Sequence, residues 1–443
     1  MTKLCSILLA IGFALAAQAA PLRYSSGGVH DDAGWAVTTN PGNGDIYVTG
    51  TAYAGAAQLN DMCLVKYNAN GVFQWARRFG RPGQNDEALD VAISPVNGEI
   101  YVTGYVRDTV TGIAAVATLH FTPNGALVGQ HAFAGLMQGD HIGQEIGFDM
   151  FGGVYVRGLA TNAGTGKDFL LIKYNPGLSP LWVKFWDGAN GDDISSAMEV
   201  TPNGVYIVGK STNPADVDGI ALRYTLGGVL ANTRYVIGVA GGNDEINDIA
   251  VAPGGGDVLI TSTRSRGPAA SDMQITTMRW SGNFGATMWV HNFNLFPGNS
   301  LDLAKKVKVS PIGVVVAGSS QNQNFLTDIV CYQLNPSTGG IVGLQVTNFP
   351  GEDLAVDLAV DPAGPIYVTG VDDATGYPKY LTLRIDGGLI TWVSAYGNAG
   401  QDVPSELTLN MNVMPVVTGR SYDPASGFDI LTLRIDPATG MVL

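Results

Sequence analysis

The sequence is poor in cysteine and in charged side chains, and basic side chains are the scarcer ones. Its 443 residues include 3 Cys, and Asp, Glu, Lys and Arg make up only 14% of the chain. The 24 Lys and Arg are outnumbered by 38 Asp and Glu, which gives a formal net charge of −14. A surface of that sign repels phosphate backbones and gains nothing from counterion release, so we expect no nucleic-acid partner. The 46% of hydrophobic residues and the 59 Gly exclude a disordered or coiled-coil chain.

Long apolar runs are also lacking, except at the N-terminus. There Lys3 precedes an apolar run at 8–17, and Ala17-Gln18-Ala19 has the small-x-small pattern of a signal-peptidase site. The run is shorter than the ~20 residues that span a bilayer, which disfavours a membrane anchor. We therefore predict a signal peptide at 1–19 and a secreted, periplasmic or cell-surface product, monomeric and without a membrane span.

What the sequence has in abundance is an internal repeat. The motif Ile-Tyr-Val-Thr-Gly, or a close variant, recurs about every 53 residues, which is a typical length for one propeller blade. Its copies end at Gly50, Gly104, Gly158, Gly209, Ser262, Gly318, Gly370 and Gly419. They divide a single domain at 20–443 into repeats near 32–85, 86–139, 140–192, 193–243, 244–301, 302–352, 353–401 and 402–443 plus 20–31. Because Cys63 and Cys331 fall in non-adjacent repeats, we favour two buried free thiols over a disulfide.

Each repeat has the pattern of four short strands. In the second repeat, segments at 86–95, 100–106, 115–121 and 127–133 are rich in β-branched and aromatic residues and are separated by Gly, Pro and Asn turns. Four antiparallel strands repeated eight times predict an all-β, eight-bladed β-propeller, with seven blades as the alternative. The last repeat stops where its fourth strand should begin, and Tyr24 matches the aromatic residue near the end of that strand in the other repeats. We therefore predict that the N-terminal strand completes the last blade.

The repeat resembles the bacterial β-propeller repeat (SBBP-repeat) family of exported proteins, whose units read D-x-A-x-x-(I/V)-A-V-D-x-x-G-N-x-Y-V-T-G. The match is carried by DLAVDLAVDPAGPIYVTG at 353–370 and by residues 86–104, and looser copies cover nearly all of the chain after residue 20. The resemblance implies a propeller scaffold and no catalytic set. The eight repeats counted here differ from the seven in the family's name.

An Asp recurs at the start of the first strand of every repeat, on the face of the ring with the longer loops. These residues are Asp32, Asp86, Asp140, Asp193, Asp244, Asp302, Asp353 and Asp402. First strands line the central channel of a propeller, so the eight carboxylates would form a ring near its mouth and attract a hard cation such as calcium. The alternative, which we favour, is that each carboxylate accepts hydrogen bonds from backbone N–H groups and sets its own turn. No other cofactor is predicted.

Two further features recur along the chain. A second Asp opens the third strand at Asp61, Asp168, Asp218, Asp328 and Asp429, and we expect it to be a solvated cap. Trp75, Trp182, Trp289 and Trp392 occupy one position of the fourth strand in alternate repeats. Large aromatic side chains at such a spacing predict packing between blades rather than a ligand platform.

Catalytic motifs are lacking as well. The five His residues are scattered, and the sequence has no H-E-x-x-H, G-x-S-x-G, Walker loop or C-x-x-C. We therefore predict a non-enzymatic scaffold or binding module whose loop-rich face meets a glycan, a cell-envelope component or a protein. The alternative is a polysaccharide hydrolase or lyase with its site at the channel mouth. A deep pocket with two converging carboxylates and a basic residue, such as Arg264 or Arg266, would favour that enzyme.

Overall fold

The computed structural model describes residues 20–135, 139–162, 164–188, 191–238, 242–253, 256–267, 272–296, 300–374, 376–397 and 400–443. The predicted signal peptide at 1–19 lies outside this range. The described residues form β-strands and turns, and they include no helix long and apolar enough to cross a membrane.

The strands make eight four-stranded antiparallel sheets, the blades of a β-propeller. The innermost strands of blades 1 to 8 are β2 Ala33–Thr39, β6 Glu87–Ile93, β10 His141–Phe148, β14 Asp193–Thr201, β18 Asp244–Val251, β22 Asp302–Ser310, β26 Asp353–Val360 and β30 Asp402–Leu409. The second strands are β3 Ile46–Tyr53, β7 Ile100–Arg107, β11 Val154–Asn162, β15 Gly204–Thr212, β19 Val258–Ser265, β23 Gly313–Gln321, β27 Ile366–Asp372 and β31 Pro415–Asp423. The third strands are β4 Asn60–Tyr67, β8 Ala114–Phe121, β12 Gly166–Tyr174, β16 Val217–Tyr224, β20 Met273–Trp280, β24 Thr327–Leu334, β28 Lys379–Asp386 and β32 Gly427–Arg434. The outermost strands are β5 Phe73–Phe79, β9 Leu127–Phe133, β13 Pro180–Trp186, β17 Leu230–Val236, β21 Thr287–Phe293, β25 Ile341–Val346, β29 Leu389–Tyr396 and, for blade 8, β1 Leu22–Tyr24.

The two ends of the chain meet in blade 8. Strand β1 pairs antiparallel with β32, so that Tyr24 lies opposite Ile430 and Arg23 opposite Leu431. The guanidinium of Arg23 also donates to Asp429 at 2.7 Å. The predicted count of eight blades and the predicted closure by the N-terminal strand are both confirmed, and the seven-bladed alternative is excluded.

The blades pack face to face because their second and third strands are apolar on both sides. Val314, Val315 and Val316 of β23 are all fully buried, although neighbouring side chains point to opposite faces of the sheet. The two described cysteines, Cys63 and Cys331, are buried free thiols, as predicted.

Every innermost strand carries a β-bulge at the same level. The unpaired residues are Trp35, Leu89, Gln144, Ser196, Asn247, Lys305, Val356 and Ser405. A bulge bends the strand and changes where its side chains point. Here it brings the residue after the bulge to the wall of the central channel in several blades.

Candidate functional site

Each blade sends its loops to two faces of the ring. Loops between second and third strands, and between consecutive blades, emerge on what we call the upper face; the tight turns lie on the lower face. At the upper mouth of the channel, blades 4 to 7 enclose a cavity of about 580 Å³. Its lining includes Lys210, Glu245, Asn247, Lys305, Leu303 and Leu354. The upper ends of four blades therefore build this mouth cavity.

The mouth cavity combines an apolar floor with one ion pair. Leu303 is partly exposed and Leu354 is 39% exposed. The ammonium group of Lys210 lies 3.1 Å from Glu245, and both side chains are about one-third exposed. The side chain of Lys305 is solvent-accessible, but protein atoms surround it and displace part of its hydration shell. This desolvation, together with the neighbouring charge of Lys306, lowers the pKa of Lys305. Such a surface suits a ligand with an apolar group beside a charged one.

Deeper in the channel lies a second cavity of about 220 Å³, which is mostly polar. Its wall carries the residues that follow the bulges in several blades: Asp90, Glu145, Lys306, Asp357 and Glu406, with the small Ala36 and Ala197 in blades 1 and 4. We call the charged members, together with Asp248 at the same position in blade 5, the channel ring.

The acids of the channel ring tie consecutive blades together. In four of them one carboxylate oxygen accepts a backbone N–H from the next blade. The pairs are Asp90 with Ile146 at 2.8 Å, Asp248 with Val307 at 2.8 Å, Asp357 with Leu407 at 2.8 Å and Glu406 with Val37 at 2.6 Å. Each of these hydrogen bonds satisfies a backbone donor of the neighbouring blade, so the ring stabilises the blade interfaces.

Crowding of these groups changes their protonation. Burial, together with the charge of Glu145, raises the pKa of Asp90 to about 7. Burial and the charges of Asp90 and Asp357 raise the pKa of Glu406 well above its usual value. The charge of Asp248 is the largest influence on Lys306 and raises its pKa. Asp90 and Glu406 therefore retain protons near neutral pH, which limits repulsion within the ring.

The eight Asp residues that the sequence singled out are not part of the channel ring, although Asp244 belongs to the lining of the mouth cavity. All but Asp140 are at most 1% exposed, and none lines the channel cavity. Three of them accept backbone N–H groups from the preceding loop and from the end of their own second strand: Asp32 from Ser26 and Tyr53, Asp86 from Arg81 and Arg107, and Asp244 from Gly238 and Ser265. Asp302 and Asp353 instead accept side-chain hydroxyls, from Ser300 and Ser320 and from Thr347. These contacts support the turn-setting role, and binding of calcium by this set stays a prediction.

Blade 3 departs from the repeated Asp by one residue. Its bulge follows Gly143, as that of blade 2 follows Ala88, so His141 stands where blade 2 has Asp86. His141 is fully buried, whereas the side chain of Asp140 is 38% exposed beside Arg107. The prediction that Asp140 is the blade 3 equivalent of Asp86 is therefore wrong. The turn between the first and second strands is one residue shorter in blade 3 than in blade 2, which shifts the alignment.

Four of the five Asp residues in the second set are not solvated, contrary to expectation, whereas Asp218 is partly exposed. Asp61, Asp168, Asp328 and Asp429 are at most 5% exposed. They lie at blade boundaries beside the first-strand Asp of the next blade. For example, a Cβ at Gly80 would meet both Asp61 and Asp86 within 3 Å. At this boundary the loop that contains Gly80 therefore covers both carboxylates. The pattern of residues within one strand does not reveal such a contact with a neighbouring loop.

The basic residues named for an enzyme site are already engaged. Arg264 donates to the carbonyl of Ile237 at 2.6 Å, and Arg266 lies 3.4 Å from Asp272. In the described part of the mouth cavity, Asp244 uses its carboxylate on backbone N–H groups and Glu245 is paired with Lys210. Two carboxylates free to act as acid and base are therefore not brought together among these residues.

The channel ring was missed by the sequence reasoning, although a signal for it exists. In five repeats a charged residue stands four positions after the recurring Asp, within the first strand: Asp90, Asp248, Lys306, Asp357 and Glu406. A charge that recurs at one position of a strand needs a polar surface or a partner, and the channel supplies both.

No family model matches the sequence, and no curated protein matches it either. Solved structures do match. The quinohemoprotein alcohol dehydrogenase of Comamonas testosteroni is 12% identical, with a TM-score of 0.51 over 80% of this chain and 66% of that one. The WD40 domain of SCAP from fission yeast is 9% identical, with a TM-score of 0.50 over 93% of this chain and 97% of that one. The polysaccharide lyase Uly1 is 11% identical, with a TM-score of 0.49 over 92% and 90%.

These likenesses concern the fold. The chain spans just under two thirds of the length of the Comamonas dehydrogenase and 60% of that of a second such enzyme from Pseudomonas putida. The matches include both enzymes and a WD40 domain, and a shared propeller fold does not determine an activity.

Proposed function

We propose that the protein is an exported, non-enzymatic binding module, built from repeats similar to SBBP repeats, whose mouth cavity receives part of another protein. The observation that carries this proposal is the lining of the cavity. Leu303 and Leu354 offer apolar surface, and Lys210 and Glu245 offer both signs of charge next to it. A polypeptide presents apolar side chains beside charged ones and beside backbone polar groups, so it matches each of these features.

A protein ligand fits the cavity better than a glycan does. Sugar rings are commonly held by stacking on aromatic side chains, and the described residues that line the mouth cavity include no aromatic one. The polysaccharide hydrolase or lyase alternative lacks support for a different reason, since the carboxylates at the mouth are committed to backbone N–H groups and to Lys210.

The test is a parallel screen of the chain from residue 20 on peptide and glycan arrays. We expect peptide binding that Leu354→Asp reduces at least tenfold, because a charge would replace the apolar floor. Val72→Asp is the matched control, since Val72 is 56% exposed in a turn on the lower face. Glycan binding that Leu354→Asp leaves unchanged, or release of new sugar ends from a polysaccharide, would contradict the proposal.

Export is tested separately by expressing the full chain in a bacterial host. We expect the protein outside the cytoplasm with Ala20 as its N-terminal residue. A cytoplasmic product that retains Met1 would overturn this part of the proposal and leave the binding result intact.

A further inference from the structure

The boundary between blades 3 and 4 gathers three carboxylates. Asp168 lies near the start of β12, Asp187 directly follows β13, and Asp193 begins β14. Each offers an oxygen atom, and these three atoms lie within 4.8 Å of one another. Asp168 is 2% exposed and Asp193 is fully buried, whereas Asp187 reaches the surface. We call this group the boundary cluster.

The boundaries between blades 1 and 2 and between blades 6 and 7 also bury two carboxylates, Asp61 with Asp86 and Asp328 with Asp353. Three other boundaries avoid such a pair. Between blades 8 and 1, Asp429 is neutralised by Arg23 at 2.7 Å. Between blades 7 and 8, Lys379 replaces the third-strand Asp and lies beside Asp402 against Gly397. Between blades 2 and 3, Ala115 stands there instead. Each of these three boundaries supplies a cation or removes a carboxylate.

No described Lys, Arg or His makes a salt bridge with Asp168 or Asp193, and burial raises the pKa of both carboxyl groups. Burying two carboxylates without a counter-charge is costly, and a third one is added at the surface.

Unpartnered oxygen atoms at the cluster point to a ligand. Asp168 Oδ2 accepts hydrogen bonds from the amide of Asn162 and from the hydroxyl of Thr165, whereas its Oδ1 has no hydrogen-bond partner. Asn162 is 9% exposed and gives its nitrogen to Asp168, which leaves its own Oδ1 buried and also without a partner. Asn162 therefore contacts the boundary cluster through its nitrogen while its buried oxygen lacks a donor, and buried acceptors without a donor are rare in folded proteins.

We propose that a calcium ion binds at the boundary between blades 3 and 4, held by Asp168, Asp187 and Asp193 with Asn162 as a further oxygen ligand. Calcium takes several oxygen ligands in a flexible geometry, and two oxygens about 2.4 Å from one ion lie no more than about 4.8 Å apart. The ion replaces the missing counter-charge, and Asp187 at the surface gives it access from solvent. The site would link the outer strand of blade 3 to the inner strand of blade 4.

The experiment uses the chain from residue 20, treated with chelator and then titrated with calcium chloride in a calorimeter. We expect one bound ion with a Kd of about 10⁻⁴ M, which is typical of extracellular calcium modules. Binding to the folded state alone also raises the melting temperature, by a few degrees at millimolar calcium. Terbium ions, which replace calcium, should luminesce on tryptophan excitation because Trp186 adjoins Asp187, and Trp186→Phe should remove most of that signal.

Two variants locate the ion and one controls for charge. Asp168→Asn and Asp187→Asn should each weaken calcium binding at least tenfold. Asp61→Asn, at the equivalent position of the boundary between blades 1 and 2, should leave binding unchanged. If Asp168→Asn does not fold, Asp187→Asn decides the matter, since its side chain is exposed. Absence of calcium binding to the unaltered chain, or equal binding by the Asp187→Asn variant, would overturn the proposal.

Discussion

A Cβ at Gly339 would lie 2.7 Å from the indole ring of Trp289, which reaches across from the preceding blade. The nitrogen of that indole donates to the carbonyl of Pro336 in the same turn at 2.9 Å. The arrangement recurs in every second blade, with Trp75 against Gly125, Trp182 against Gly228 and Trp392 against Gly440. The alternating tryptophans are therefore packing between blades, as predicted, and the turn that receives each one lacks a side chain. Duplication of a two-blade unit accounts for this period.

Gly339→Ala should destabilise the protein by about 1–3 kcal/mol in denaturant unfolding. The new methyl group would overlap the indole ring of Trp289, and overpacking of that kind carries a cost of this size. Gly339 also has a φ of 72°, which disfavours any L side chain.

Gly98→Ala separates these two effects. Gly98 has a φ of 70°, and no atom lies within 4 Å of the position of its Cβ, so this variant measures the backbone cost alone. Equal destabilisation by the two variants would show that contact with Trp289 contributes nothing.

The fold could be predicted because the same pattern of strands and turns recurs eight times in the sequence. The Ile-Tyr-Val-Thr-Gly motif counts the blades, and the position of Tyr24 predicts the closure of the ring. The positions of the candidate site residues were predicted less accurately, because they depend on contacts between repeats. A bulge brings Asp90 to the channel, a shortened turn puts His141 in the place of Asp140, and an adjacent loop buries Asp61. None of these three effects alters the local pattern of strand and turn residues.

Arg23→Ala tests the closure of the ring. The substitution removes the cation that contacts Asp429 at 2.7 Å, and the carboxylate, which is 1% exposed, keeps only the hydroxyl of Ser426. We expect a loss of about 1–3 kcal/mol in unfolding free energy, because a buried carboxylate loses its charged hydrogen-bond donor.

The control for this prediction is Arg81→Ala. Arg81 lies 3.7 Å from Asp108, and both side chains are more than one-third exposed, so its loss should cost less than about 1 kcal/mol. A similar loss in both variants would mean that Arg23 adds no more than an ordinary surface charge.

Asp357→Ala tests whether the channel ring stabilises the blade interface. Asp357 accepts the N–H of Leu358 and that of Leu407 in the next blade, both at 2.8 Å. Alanine would leave the donor of buried Leu407 unpaired, and we expect a loss of about 1–3 kcal/mol. Asp357→Asn retains one acceptor oxygen and should lose less. If both variants melt like the unaltered protein, the ring has no structural role at this interface.

The pH dependence of stability gives the last test. Burial, followed by the charges of Asp372 and Asp328, raises the pKa of Asp353 from its ordinary value of 3.8 to about 7. The folded state therefore holds this proton more tightly than the unfolded state does. That contribution to stability is complete below about pH 4 and is lost as the pH rises through 7. We expect the chelator-treated protein to melt at a lower temperature at pH 8 than at pH 5.5.

Asp353→Asn should reduce this dependence and stabilise the protein at pH 8, by about 1–3 kcal/mol, because the amide resembles the protonated acid. The amide oxygen can still accept the hydroxyl of Thr347, which now donates to Asp353 at 3.1 Å. Part of the slope should remain, since burial also raises the pKa of Asp61 to about 6 and that of Glu199 to about 7. Asp108→Asn is the control, because its exposed carboxyl has a lowered pKa and titrates below this range. Thermal melts at half-unit pH steps measure how the melting temperature changes with pH. An unchanged pH dependence in Asp353→Asn would contradict its assignment to Asp353 at the boundary between blades 6 and 7.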